Sequence, residues 1–147
     1  MSLTLRPKSA PHNGGQPDDE RTQKADDDAA YIIEVFEWLR EKGVKKILKV
    51  KVDDNPDRYC SEETIERCLA CMEEIMFLDW NRPDLSVPAL SKANRLIELH
   101  LYSTGTNAVL HHWSDQNGLV QLPKVSFGMN PVWSQQCMPR FAYVCAW

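Results

Sequence analysis

Apolar residues first recur at helical spacing over 27–42, where Ile32, Val35, Phe36 and Leu39 fall on one stripe. Asp26, Asp27 and Asp28 stand where a helix N-terminus favours negative charge, and Gly43 after Lys42 supplies a stop. A second helix is expected from Ser61, a good N-cap, with Glu62 and Glu63 in its first turn and Ile65, Cys68, Leu69 and Met72 as its stripe. Between the two, residues 44–52 alternate Leu48, Val50 and Val52 with Lys49 and Lys51, which is a strand signal. The short apolar run 75–78 suits a buried parallel strand, and 96–102 and 124–129 alternate again. A short helix is expected at 107–113, and a weaker one between Pro83 and Lys92, where Pro88 intervenes.

Helix and strand thus take turns, with links long enough for crossovers. The pattern predicts an α/β fold of about four parallel strands alternating with helices in an open sheet. Residues 1–25 hold Pro7, Pro11, Pro17, Gly14 and Gly15 with few large apolar side chains, and read as a disordered N-terminal tail. The α/β domain is placed at 26–130. Residues 131–147 form an aromatic C-terminal tail whose order the pattern does not fix.

The strands also carry a possible repeat. The leucine-rich-repeat pattern, apolar-x-x-apolar-x-apolar-x-x-Asn, fits Ile47, Val50, Val52 and Asn55, and again Leu122, Val125, Phe127 and Asn130. Leu96, Leu99 and Leu101 fit with Thr104 in the Asn place, and Ile75, Leu78 and Trp80 fit loosely with Pro83 there. A leucine-rich-repeat-like solenoid and a plain open sheet both remain compatible with this. In either one, Lys49, Lys51, Phe77, Asp79, Glu98, His100, Lys124 and Ser126 face away from the helices and are the candidate binding face.

Composition narrows the function classes. The chain has 147 residues and a formal net charge of -4, so it lacks the basic excess that non-specific nucleic-acid binding needs. No apolar run reaches the roughly 20 residues that cross a bilayer, and the N-terminus has no apolar signal core. An intracellular, cytoplasmic protein with no membrane partner is the expectation, and its 5 cysteines are then reduced thiols.

Open parallel sheets bind ligands beyond the C-terminal ends of their strands. Those ends carry Asp53, Asp54 and Asp79, then Ser103, Thr104, Gly105, Thr106 and Asn107. Three converging carboxylates would suit Mg²⁺ and phosphoryl chemistry, but a fifth strand with its Lys is missing, and turn and cap duty explains the aspartates more simply. The 103–107 loop enters a helix and its amides could receive an anion. One Gly is a weak signal for that, and no phosphate-cradling G-x-x-x-x-G-K-[ST] run exists. Cys68 and Cys71 make a C-x-x-C pair inside the second helix. With no second pair at zinc spacing, they read as structural thiols. No Gly-x-Ser-x-Gly elbow is present, and no catalytic residue, cofactor or metal site is assigned. Trp38, Trp80 and Trp113 are expected in the core or at its rim.

Three blocks carry a family likeness. ILKVKVDDNPDRYCSEETIERCL (47–69), FLDWNRPDL (77–85) and ELHLYSTGTNAVLHHWSDQNGL (98–119) resemble the region upstream of the protease domain in large fungal subtilisin-like proteins. The resemblance covers roughly 31–127. It implies a non-catalytic accessory or recognition module that binds a protein partner or a downstream domain. The alternative is a fragment of a serine peptidase whose catalytic domain is missing, since none of that enzyme's Asp, His or Ser motifs occurs here. From about Ser126 the near-uncharged ending GMNPVWSQQCMPRFAYVCAW departs from the family pattern.

Overall fold

The structure is a computed structural model that describes residues 1–6, 18–56, 58–122, 130–131 and 141–145, with 18–28, 130–131 and 141–145 described by their backbone alone. Its elements run β1 (Ser2–Leu5), α1 (Asp18–Glu41), β2 (Lys46–Val52), α2 (Glu62–Ala70), β3 (Glu74–Pro83), α3 (Val87–Leu90), β4 (Glu98–Ser103), α4 (Asn107–Ser114), β5 (Asn130–Pro131) and β6 (Phe141–Cys145). They build one six-stranded sheet in the order β1-β2-β3-β4-β6-β5. The first four strands are parallel. The α/β fold expected from the alternation of patterns is therefore present.

Several expectations are corrected. The assignment of 1–25 to an unstructured tail fails at both ends. Ser2–Leu5 pairs with β2 as an edge strand, and α1 begins at Asp18 rather than near 27. The good helix formers Glu20, Arg21, Gln23, Lys24 and Ala25 carry the helix through the stretch before the aspartates, and acidic Asp18, Asp19 and Glu20 occupy its first turn. Asp26, Asp27 and Asp28 are thus interior to α1 rather than at its start. The fourth parallel strand is β1. The strand expected at 124–129, with Lys124 and Ser126, lies outside the described residues. Beyond β4 the sheet turns antiparallel, β4 with β6 and β6 with β5, which the uniform parallel pattern did not foresee.

The local signals that held have visible causes. Ser61 caps α2, its hydroxyl oxygen accepting from the Thr64 amide at 3.1 Å, with Glu62 and Glu63 in the first turn. Gly43, at φ +79, lets the chain leave α1 in the left-handed region. Ser86 caps the four-residue α3, and Pro88 is tolerated because it falls in the first turn, where no intrahelical N–H is required.

One continuous core joins the helices to the sheet. Ile32, Phe36 and Leu39 of α1 and Ile65, Cys68 and Leu69 of α2 pack with Ile47, Val50, Val52, Ile75, Leu78, Trp80, Leu96, Leu99 and Leu101. The buried strand positions repeat as apolar-x-x-apolar-x-apolar in register, since Ile47 pairs with Ile75, Val50 with Leu78 and Leu78 with Leu99. The periodic pattern is thus a core pattern. A regular solenoid would continue the parallel stack, whereas β6 reverses direction and Asn130 sits in the antiparallel β5.

Candidate functional site

Since the core takes one face of the sheet, the other face carries the outward residues of β1 to β4. Register sets them in two cross-strand rungs. Ser2, Lys49, Phe77 and Glu98 form one; Thr4, Lys51, Asp79 and His100 form the next. The structure thus brings together six of the eight residues expected on the binding face. Lys124 and Ser126 lie outside the described residues.

The rungs are laced together. The Lys49 ammonium lies 4.2 Å from the Phe77 ring centroid, and the Phe77 and His100 rings are 4.9 Å apart at 46°. His100 Nε2 and Glu98 Oε1 are 3.2 Å apart. Lys51 stands 3.7 Å from both Asp53 Oδ1 and Asp79 Oδ2, so a lysine ammonium sits between two of the three strand-end carboxylates. Asp79, only 6% exposed, also accepts from the Tyr102 hydroxyl at 2.7 Å, and Asp53 accepts from Arg6 Nε at 2.7 Å.

An apolar row that strand alternation does not predict adjoins these rungs. Strict alternation would bury Leu48 with Val50, yet Leu48 is 56% exposed, and Ile97 is 39% exposed. In each of β2, β3 and the entry to β4, two consecutive non-core residues separate two core residues: Leu48 and Lys49, Met76 and Phe77, Ile97 and Glu98. Leu48, Met76 and Ile97 therefore make an apolar row at the foot of the face, extended by Met1, whose carbonyl accepts from the Leu48 amide. The apolar-x-x-apolar spacing held this signal, because two intervening positions leave strict alternation.

The strand-end candidates divide differently. Asp54 is buried at 4% and points into the fold, accepting from the Cys60 amide at 3.0 Å and from Trp80 Nε1 at 3.0 Å. It fastens the 53–60 loop to β3 and does not converge with Asp53 and Asp79. Among the described residues no group of three His, Cys, Asp or Glu side chains is placed to hold a metal ion. In the 103–107 loop the anion position is answered from within the chain. Asp84, at φ +60, accepts from the Thr104 amide at 2.9 Å and its hydroxyl at 2.6 Å, and Ser103 Oγ accepts from the Gly105 amide. Thr104 spends its only hydroxyl hydrogen on Asp84, so Thr106 donates to Thr104 at 2.9 Å. Thr106 holds the N-cap position of α4 without making a side-chain cap bond, and Asn107 is the first residue of the helix.

The cysteine pair ends α2 rather than lying well inside it, with Cys71 at the C-cap. Burial, followed by the charge of Cys71, pushes the Cys68 thiol up to about 12. Burial and the nearby Asp54 carboxylate raise the Cys60 thiol further. Neither is poised as a nucleophile. Trp80 and Trp113 are core residues, as expected, but Trp38 is 55% exposed on the outer face of α1. There it flanks a shallow cavity of about 440 Å³ with Tyr31, Glu34, Val35, Glu37 and Glu41. No described helix is long and apolar enough to cross a membrane.

Comparison with protein-family models, with curated proteins and with solved structures finds no match for this chain. What the face can do therefore rests on its own geometry.

Proposed function

We propose that this chain is a non-catalytic α/β recognition module that binds a protein partner through the face of its sheet opposite the described helices. The observation that carries this reading is the composition of that face: an apolar row beside a rung of Lys49, Phe77 and Glu98, all outside the core. Aromatic and apolar groups flanked by charges of both signs suit recognition of another protein surface, where burial gives affinity and charge gives register. The likeness of 47–69, 77–85 and 98–119 to the region upstream of fungal subtilisin-like peptidase domains agrees with an accessory role of this kind.

The test compares wild-type protein with a Leu48→Glu, Lys49→Glu variant in quantitative affinity capture. Each of these side chains keeps some solvent contact, so the variant is expected to fold with a near-unchanged melting temperature while losing the proteins that wild type retains. An unchanged captured set removes the face as the site. A collapse in melting temperature makes these residues part of the structural framework and overturns the reading.

A further inference from the structure

We infer that the partner on this face is a second copy of the same chain, packed sheet against sheet about a two-fold axis that runs parallel to the strands along β3. This rests on the recognition face described above and names its occupant. Charge order is what points there. Across the first rung the sequence of groups is cation, aromatic ring, carboxylate: Lys49 on β2, Phe77 on β3 and Glu98 on β4. The row at its foot reads Leu48, Met76, Ile97 in the same order.

A two-fold axis along β3 exchanges β2 and β4 between facing copies and keeps each row at its own height. Lys49 of one copy then opposes Glu98 of the other, and Glu98 opposes Lys49. Phe77 meets Phe77, Leu48 meets Ile97, and Met76 meets Met76. In the second rung Lys51 opposes His100. Asp79 opposes Asp79, where each carboxylate is already held by Tyr102 and Lys51 of its own chain. An axis perpendicular to the strands would instead lay β2 over β2 and bring lysines together, so the charges select one arrangement. Two sheets facing with nearly aligned strands about 10 Å apart is an ordinary packing.

The described face is modest. Four strands about 4.8 Å apart and about 17 Å long cover roughly 300 Å² of footprint, where standard interfaces bury about 800 Å² of accessible surface on each side. Association is therefore concentration-dependent and weak.

Sedimentation velocity of the full chain over a wide concentration range tests this, together with Lys49→Glu, Glu98→Lys, the double variant and an equimolar mixture of the two singles. Wild type should move from monomer to dimer as concentration rises. Each single reversal replaces two attractive pairs by two like-charge pairs and should weaken association at least about tenfold. The mixture restores both pairs in a heterodimer, and the double variant restores them in a homodimer. Recovery on mixing also shows that both single variants are folded. Leu48→Glu, at an exposed position, is a second route to the same loss. Wild type that stays monomeric overturns the second copy as occupant while leaving protein recognition by the face standing. A dimer that survives the reversals or Leu48→Glu uses another surface and also overturns the proposal. Failure of the recognition reading itself looks different: face variants that unfold.

Discussion

Asp54 shows how one side chain settles what a strand end does. It is charged and nearly fully buried, a combination that is costly unless every acceptor site is used. Here it accepts from the Cys60 amide, the Asn55 amide and the Trp80 indole. Asp54→Ala leaves two buried donors unmet, at about 1–3 kcal/mol each. Urea unfolding should therefore show a loss of about 3 kcal/mol, with a smaller loss for Asp54→Asn, which keeps one acceptor. A loss within error of zero would mean that water replaces the carboxylate.

The buried thiols make a second prediction at this scale. The folded pKa of Cys68 is raised to about 12 from an ordinary value of 9.0, and Cys60 is raised also. In the unfolded chain both ionise near the ordinary value, so the unfolded state loses protons first as pH rises. Their stabilising contribution is complete below about pH 9 and declines between there and about pH 12. Cys60→Ala with Cys68→Ala should lower stability at neutral pH yet flatten its fall above pH 9. An equally steep alkaline limb in the double variant would place its cause elsewhere.

Among the elements, the loop after α4 is held by a contact that composition does not advertise. A Cβ built on Gly118 would overlap the Trp113 carbonyl oxygen, a backbone atom that cannot swing away. Gly118→Ala should therefore cost about 1–3 kcal/mol as α4 is pushed from the core, where Trp113 donates to the Leu85 carbonyl at 2.8 Å. Thermal unfolding measures this, and an unchanged midpoint would mean that the turn relaxes freely. The elements that were legible in the sequence were those whose signal is local. Ser61 with Glu62 and Glu63, Gly43, and the Ile65, Cys68, Leu69 stripe each state their own structure. Elements that depend on a distant partner were not legible. Ser2–Leu5 is a strand only because β2 offers it an edge, anchored by buried Leu5 and the Arg6–Asp53 pair. The fate of Asp54 was hidden for the same reason, since its partner Trp80 is 26 residues away. On the open face, the rungs of Lys49, Phe77, Glu98 and of Lys51, Asp79, His100 followed from strand alternation. Leu48 and Ile97 escaped because their strands depart from it.

At the scale of the molecule, the described helices pack against one face of the sheet and leave its other face to the rungs. Such a sheet normally covers its second face with another layer or presents it to a partner. The outer face of α1, with Trp38 and Tyr31, is a separate exposed patch on the helical side, remote from the charge-ordered rungs. The two faces of the sheet have opposite characters, and adjacent residues of β3 report on one each. Leu78 is fully buried against the helices, whereas Phe77 is half-buried, with Lys49 and His100 against its ring. Urea unfolding of Leu78→Ala and Phe77→Ala at dilute concentration compares them directly. The predicted result is a loss of about 2–5 kcal/mol for Leu78→Ala and under about 1.5 kcal/mol for Phe77→Ala, which gives up mainly its ring contacts. Equal, large losses would make Phe77 a core residue and contradict the open face.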